Sequence, residues 1–100
     1  MRRAAKVDAN QAEIVAALRA AGCGVLDLSK VGNGCPDLLV HAPTYPWRHY
    51  LLEVKDGKKP PSERKLTPAQ EKFHERWKGW IHFVKSPEEA LDAIGLGEIE

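Results

Sequence analysis

The sequence predicts an α/β fold in which a mixed β-sheet is flanked by helices, with the element order αβββαβα. Three observations lead to this prediction. Apolar residues recur at helical spacing near the N-terminus, three short β-type runs follow, and two later helix-start signals enclose a fourth apolar run. Three consecutive strands and then a strand–helix–strand crossover give antiparallel and parallel pairs in one sheet. With 43% hydrophobic and 29% charged residues, residues 1–100 are expected to form a single domain.

The first predicted helix covers residues 8–21. Val7, Ile14, Leu18 and Ala21 recur at intervals of three, four and seven residues, which is the spacing of one apolar helix face. The glycines that follow end the helix.

Three strands are predicted next, over residues 24–28, 37–41 and 49–55. A turn-forming stretch separates the first two strands, and a loop rich in proline and aromatic residues separates the second from the third. After the third strand the chain loosens again through a glycine and two prolines. These breaks are expected to be surface connections.

A second helix is predicted to begin at Thr67, where a capping threonine is followed by proline at the first helical position and glutamine at the third. This helix should run to about Lys78. An apolar strand follows over residues 80–84. The same start signal recurs at Ser86 and opens a final helix that ends near Gly95.

The formal net charge of +1 argues against a protein that coats nucleic acid through bulk electrostatics. Any basic surface must therefore be local, and the best candidate is the loop over residues 56–66. Its four basic side chains are Lys58, Lys59, Arg64 and Lys65, against the two acidic side chains of Asp56 and Glu63. Such a charge run is often no more than a solvated loop.

Several classes of protein and site are not expected. No apolar run approaches the roughly 20 residues that cross a bilayer, and the N-terminal stretch lacks a secretory signal, so an intracellular, cytoplasmic protein without a membrane partner is predicted. Cys23 and Cys35 form neither a disulfide framework nor a zinc-type cluster, and are expected to be reduced thiols. The four histidines lack ligand spacing, and no organic cofactor is expected.

Two carboxylates are predicted to meet on neighbouring strands. Asp37 opens one strand, Glu53 lies near the end of the next, and the loop between the strands is short enough to make them sheet neighbours. Because side chains alternate across a strand, Glu53 and Lys55 share one face while Val54 points into the core. One face therefore gathers two acids and an amine.

This trio suits the hydrolysis of a phosphodiester bond. Two carboxylates, together with water and phosphate oxygens, are the hard ligands that Mg²⁺ or Mn²⁺ prefers at an open site. A lysine beside them can position or deprotonate the attacking water and offset the charge that builds on the phosphate. Either motif alone is weak, because paired charges also keep strand edges soluble.

The chemistry-bearing residues form an ordered series along the chain: Glu13 on the first helix, Gly34-Cys-Pro-Asp37, Glu53-Val-Lys55, and Gln70 on the following helix. This series resembles the PD-(D/E)xK nuclease pattern, and within that superfamily it is most similar to the VRR-NUC family of virus-type replication and repair nucleases. The resemblance covers essentially the whole chain and implies a restriction-endonuclease-like fold. It implies that Asp37 and Glu53 bind Mg²⁺ or Mn²⁺, with the backbone carbonyl of Val54 as a further ligand and Lys55 as the catalytic amine.

Two helical residues receive roles from the resemblance alone. Glu13 corresponds to the acid that contacts the metal directly or through water, and Gln70 to the polar residue that orients the nucleophile or the lysine. Each also has a structural explanation. Glutamate is a good helix former near the positive end of a helix, and the capping box already explains a glutamine at position 70.

The resemblance also implies a substrate. Stand-alone members are mostly from phages or bacteria, resemble Holliday-junction resolvases and are expected to dimerise, so a homodimeric DNA endonuclease acting on branched or four-way DNA in the host-cell cytoplasm is predicted. One alternative is a flap, nick or duplex nuclease that depends on a partner. Another is a DNA-binding subunit of a larger machine that does not cut.

The remaining expectations concern contacts with DNA. The basic side chains of residues 56–66 leave the strand directly after Lys55, and are predicted to meet phosphates beside the scissile one. Trp47, Trp77 and Trp80 could stack on splayed bases, but core or subunit-interface positions are favoured in a domain of this size.

Overall fold

A computed structural model of the chain describes residues 8–45 and 47–97, and its elements follow the predicted order αβββαβα. Val7, which belongs to the predicted helix pattern, lies outside the described residues. The elements are α1 (Gln11–Ala20), β1 (Gly24–Asp27), β2 (Leu38–His41), β3 (His49–Val54), α2 (Pro68–Trp77), β4 (Ile81–Val84) and α3 (Pro87–Ala93). A short 3-10 turn at Pro61–Glu63 precedes α2.

The four strands form one mixed sheet in the order β1-β2-β3-β4. The first three strands pair antiparallel, and β4 pairs parallel to β3 after the crossover through α2. The register places Leu38 opposite Leu52 and Val54 opposite Val84. The predicted mixed sheet flanked by helices is therefore confirmed.

The core lies on one face of this sheet, between the strands and the pair α1 and α3. Ile14 and Leu18 enter it from α1, Ala90 enters it from α3, and Ile94 enters it from the position directly after α3. The strands contribute alternate side chains, as a half-buried sheet requires: Leu38, Val40, Leu52, Val54 and Val84. All nine side chains are at most 1% exposed.

The opposite face of the sheet is less completely covered by helices. A row of four apolar side chains crosses all four strands there, in register: Leu26, Leu39, Leu51 and Ile81. Of the helices in the described residues, α2 alone lies on this side, and it buries none of its own residues. Leu26 is consequently 56% exposed. The side chain of Glu53 points to this same face, two residues after Leu51 on β3.

Helix α1 begins later than the predicted residue 8, and Asn10 accounts for the difference. The Asn10 side chain makes no capping hydrogen bond. Its Nδ2 instead donates to the carbonyl oxygens of Lys55 at 3.1 Å and Lys85 at 2.8 Å, where β3 and β4 end. The segment before α1 is thereby fixed beside these two strand ends, and the helix starts only at Gln11.

Helix α2 begins as the sequence predicts. The Thr67 side chain accepts from the backbone N–H of Gln70, and the Gln70 side chain accepts from the Thr67 N–H, which completes the capping box. The helix ends at Trp77, because Lys78 adopts a left-handed conformation with φ of 64°. At the start of α3, the Ser86 side chain likewise accepts from the Glu89 N–H.

The two cysteines are free thiols, as expected. The longest helices in residues 8–45 and 47–97 have ten residues, and none of the described helices could cross a membrane.

Candidate active site

The register of β2 and β3 brings Asp37 against the end of β3. The Asp37 N–H donates to the Leu52 carbonyl at 3.0 Å, which continues the ladder one residue beyond β2. The Asp37 side chain then takes the next position, where its Oδ2 accepts from the Val54 N–H at 2.7 Å. Its carboxyl group also shares a hydrogen bond with the carboxyl of Glu53. The two predicted acids therefore lie in direct contact.

Glu53 is a fully buried carboxyl group, with 0% of its surface exposed. The pKa of Glu53 is raised to about 9, first by burial and then by the hydrogen bond and negative charge of Asp37, against the opposing charge of Lys55. Two carboxyl groups in contact share a proton more readily than they both ionise. A cation bound between them would remove this repulsion.

Gln70 connects the lysine to this carboxyl pair. Lys55 Nζ donates to Gln70 Oε1 at 3.0 Å, and Gln70 Nε2 donates to Glu53 Oε2 at 3.3 Å. The same Oε1 accepts from the Thr67 N–H at 2.9 Å. The capping role and the site role of Gln70 are therefore both present, since the cap holds the amide where Lys55 and Glu53 meet it.

His74 belongs to the site although the sequence analysis set it aside. Its Nε2 lies 3.4 Å from Glu53 Oε1, and only 17% of its side chain is exposed. The imidazole also packs on Phe83, with 5.2 Å between ring centroids. Burial lowers the pKa of His74, and the nearby Lys55 lowers it further. Its position four residues after Gln70 placed it on the same helix face, which was the available signal.

Two acids lie near α1 in the described residues, Asp8 and Glu13, and the resemblance assigned a role only to Glu13. Glu13 is exposed and lines a separate hollow with Asp56, Lys58 and other residues. The additional acid whose charge acts on Glu53 is Asp8, which precedes α1. Because Ile14 and Leu18 turn one face of α1 into the core, Glu13 is directed away from that face. The role of Glu13 stays a prediction from resemblance.

Gly34 holds α2 over the site. Its backbone, with φ of 77°, lies so close to the start of α2 that an added Cβ would overlap the backbone atoms of Ala69 and come within 2.7 Å of the Gln70 nitrogen. Only glycine permits this approach. Gly34, the glycine of the Gly-x-Pro-Asp series, therefore determines how closely Gln70 approaches the carboxyl groups of Asp37 and Glu53.

The four basic side chains of residues 56–66 are not equivalent in the structure. Lys59 Nζ pairs with Asp8 Oδ1 at 3.4 Å, next to the site. Lys58 and Lys65 are exposed, and Arg64 is half-buried. Lys58 and Lys65 are therefore free to contact DNA phosphates, whereas Lys59 is paired with Asp8.

The three tryptophans do not lie in the core, and the alternative expectation of a subunit-interface position stays a prediction. Trp47, Trp77 and Trp80 are 72%, 49% and 85% exposed. The core takes its volume from aliphatic residues, because α1 and α3 pack their leucine, isoleucine and alanine side chains closely on short strands. The tryptophans remain on the surface, available to partners.

The donor set fits a hard divalent cation. The buried Glu53 carboxyl and the half-buried Asp37 carboxyl lie together beside a lysine and offer oxygen ligands. An open site with one or two carboxylates is what Mg²⁺ requires, since it keeps several water or phosphate oxygens. Soft-metal chemistry is not favoured by oxygen donors.

The raised pKa of Glu53 predicts a stability effect. Between its unfolded value near 4.5 and its folded value of about 9, folding takes up a proton, so the stability of the metal-free protein falls as pH rises through this window. Glu53→Gln removes this pH-dependent loss of stability, because a glutamine side chain does not ionise. We expect a Tm higher by several degrees at about pH 8, since 1 kcal/mol corresponds to roughly 4–8 °C in a domain of this size.

Thermal melts of the metal-free proteins check this expectation. The gain should shrink towards pH 5, and the matched variant Glu13→Gln, at an exposed glutamate, should melt like the wild type. A Glu53→Gln protein that melts at or below the wild-type temperature at the higher pH would contradict the assignment of Glu53 as a strained buried acid.

A solved structure described as a "VRR_NUC domain" is similar to this chain, with a TM-score of 0.57 and 27% sequence identity. The match covers 87% of this chain and 96% of that chain. No protein-family model and no curated protein matches the chain. The structural match supports both the restriction-endonuclease-like fold and a nuclease domain of the PD-(D/E)xK type.

Proposed function

We propose that this member of the VRR-NUC family is a Mg²⁺- or Mn²⁺-dependent endodeoxyribonuclease, formed as one domain by residues 1–100. The observation that carries the proposal is the contact between the Asp37 and Glu53 carboxyl groups, joined through Gln70 to the amine of Lys55. The structural match to a VRR_NUC domain supports the same reaction class.

Asp37 and Glu53 would hold the divalent ion, and their backbone supports this role. The Val54 N–H points towards Asp37, and the carbonyl of a strand residue points to the same side as its N–H, so the Val54 carbonyl is also directed to this edge. The bound ion would act as a Lewis acid on the phosphate and activate water for attack.

Lys55 supplies the positive charge and the proton chemistry that the protein itself contributes. Its Nζ is held by Gln70 Oε1, and therefore has a fixed position relative to Glu53. From there it orients the attacking water, accepts or passes on its proton, and offsets the negative charge that develops on the phosphate. Gln70 acts as the positioning residue for both groups.

Asp8 is the additional acid that the geometry favours, and a pair of variants separates it from Glu13. We expect Asp8→Ala to lower metal-dependent cleavage by about 10- to 100-fold, the range for residues that support a metal ligand. Glu13→Ala should cleave nearly as well as the wild type. Cleavage rates of the two variants, measured over a series of Mg²⁺ concentrations, decide between the two acids. A larger loss in Glu13→Ala than in Asp8→Ala would assign the role of the additional acid to Glu13.

DNA binding would use the exposed members of the basic loop. Lys58 and Lys65 are free to meet phosphates beside the scissile bond, with Arg64 as a further donor. Lys59 reaches the same region from its pairing with Asp8, and would join them where DNA competes for its charge. These contacts would be independent of base sequence.

The proposed substrate is branched DNA, cut by a homodimer. The apolar row of Leu26, Leu39, Leu51 and Ile81 supports dimerisation, because α2 buries none of its own residues on this face and Leu26 remains 56% exposed. A second copy presents the same row, as a two-fold interface requires. A domain with a core this small gains stability from such burial.

Cleavage of a labelled four-way junction, a flap and a linear duplex tests the proposal, with Mg²⁺, Mn²⁺ or chelator. Symmetric metal-dependent nicks in the junction by a protein of twice the chain mass are expected. Preferential cutting of the flap or duplex would leave the proposed metal-dependent cleavage in place but would contradict branched DNA as the substrate. Binding of DNA without any cleavage under either metal would favour the non-cutting subunit.

A further inference from the structure

A second surface feature lies at the far end of the sheet from the carboxyl pair. Five residues line it, and it is named here the aromatic hollow: Arg48, His49, Tyr50, Trp80 and His82. Its volume is about 600 Å³, within the range of small-ligand sites. It opens where β3 and β4 begin, whereas Glu53 lies where β3 ends.

The rings of the aromatic hollow are arranged as a stacking surface. The Trp80 and His82 rings stack at 6.2 Å between centroids with 30° between planes, and the Tyr50 ring lies 5.9 Å from His82. Trp80 nevertheless keeps 85% of its surface exposed. An exposed indole held by a neighbouring ring leaves one π-face for a partner, and every nucleobase can stack on it.

The charge of the aromatic hollow favours an anionic partner. None of its five lining residues is acidic. The Arg48 guanidinium carbon lies 4.7 Å from the centre of the Tyr45 ring, so the guanidinium is positioned before any partner binds. Its edge remains able to donate to a phosphate in a bidentate way. Aromatic faces next to a fixed guanidinium match a nucleotide better than an apolar protein surface.

The aromatic hollow and the carboxyl pair lie on opposite faces of the sheet, because Tyr50 and His82 share the face of Leu52 whereas Glu53 points to the other face. Strand β3 has six residues, which at about 3.3 Å per residue places its two ends about 17 Å apart. A DNA strand that reaches both sites must also pass around the edge of the sheet, and therefore needs more than five steps of 3.4 Å. The hollow opens beside β4, which is an edge strand, so DNA passing this edge meets Trp80 without crossing the sheet.

We infer that the aromatic hollow binds an unpaired nucleotide of the DNA substrate, with its base on Trp80 and its phosphate on Arg48. The inference rests on the proposed nuclease function, because it assumes that DNA is the substrate. It adds a preference for DNA with a single-stranded segment more than five nucleotides from the cut.

Binding of a short oligodeoxythymidylate, measured by fluorescence anisotropy in chelator, tests the inference without any cleavage. We expect Trp80→Ala to weaken binding by about 5- to 100-fold, which corresponds to the roughly 1–3 kcal/mol of one stacked base. Arg48→Ala should weaken it as well. Trp77→Ala is the matched control, since Trp77 is exposed on α2 and stacks on Phe73 outside the hollow.

Three outcomes would overturn the inference. The first is unchanged affinity in Trp80→Ala, and the second is equal weakening in Trp77→Ala. The third is a change of oligomeric mass in Trp80→Ala, which would make the hollow a subunit contact. Metal-dependent cleavage of the four-way junction by Trp80→Ala at the wild-type maximal rate would show that the proposed nuclease function stands in each case.

Discussion

Replacement of Lys55 by alanine is expected to lower the single-turnover rate of DNA cleavage by about three orders of magnitude or more. Lys55 combines proton transfer, which contributes about 10²- to 10⁴-fold, with stabilisation of transition-state charge. Its Nζ is fixed 3.0 Å from Gln70 Oε1. The fold should persist, because Lys55 lies outside the core cluster.

The matched control for this variant is Lys72→Ala. Lys72 is an exposed lysine on α2, the helix that carries Gln70, so the variant removes the same charge from the same neighbourhood. It should cleave at the wild-type rate. DNA binding measured in chelator should remain within a few-fold of the wild type for both proteins. A Lys55→Ala protein that retained cleavage would remove the amine from the mechanism.

Gly34→Ala is expected to lower the cleavage rate by about 100-fold, the loss that follows a 1 Å misplacement of catalytic groups. The added Cβ would overlap Ala69 backbone atoms, which cannot rotate away as a side chain could. The start of α2 must therefore shift, and Gln70 moves with it away from Lys55 and Glu53. Because α2 buries none of its residues, the core should tolerate the shift.

Gly32→Ala separates this overlap from backbone strain. Gly32 has φ of 80°, close to the 77° of Gly34, but nothing lies within 4 Å of its added Cβ. Both variants bear the cost of a left-handed alanine, about 1–2 kcal/mol. Only Gly34→Ala should lose activity beyond the loss seen for Gly32→Ala. Equal rates in the two variants would show that α2 is not held by this contact.

The fold was predictable because local signals and the strand pattern agree. The capping box at Thr67, the alternation of Glu53, Val54 and Lys55, and the short connection between β2 and β3 are encoded in adjacent residues. They are therefore visible without knowledge of the tertiary packing. The contact of Asp37 with Glu53 follows from this register alone.

The parts that could not be predicted depend on contacts distant in sequence. Asn10 starts α1 late because it binds the ends of β3 and β4, and this places Asp8 rather than Glu13 near Glu53. His74 joins the site only because Gly34 lets α2 approach the sheet. The exposure of the tryptophans depends on which residues fill the core, which composition does not reveal.

The most direct test of the central claim is metal-dependent cleavage by the wild type and Asp37→Asn. Chelator-treated protein is mixed with labelled branched DNA, and Mn²⁺ or Mg²⁺ is added. We predict no cleavage in chelator, cleavage by the wild type after either metal, and loss of at least about two orders of magnitude in Asp37→Asn. Cleavage in chelator, or equal rates for the two proteins, would contradict a metal site built on Asp37 and Glu53.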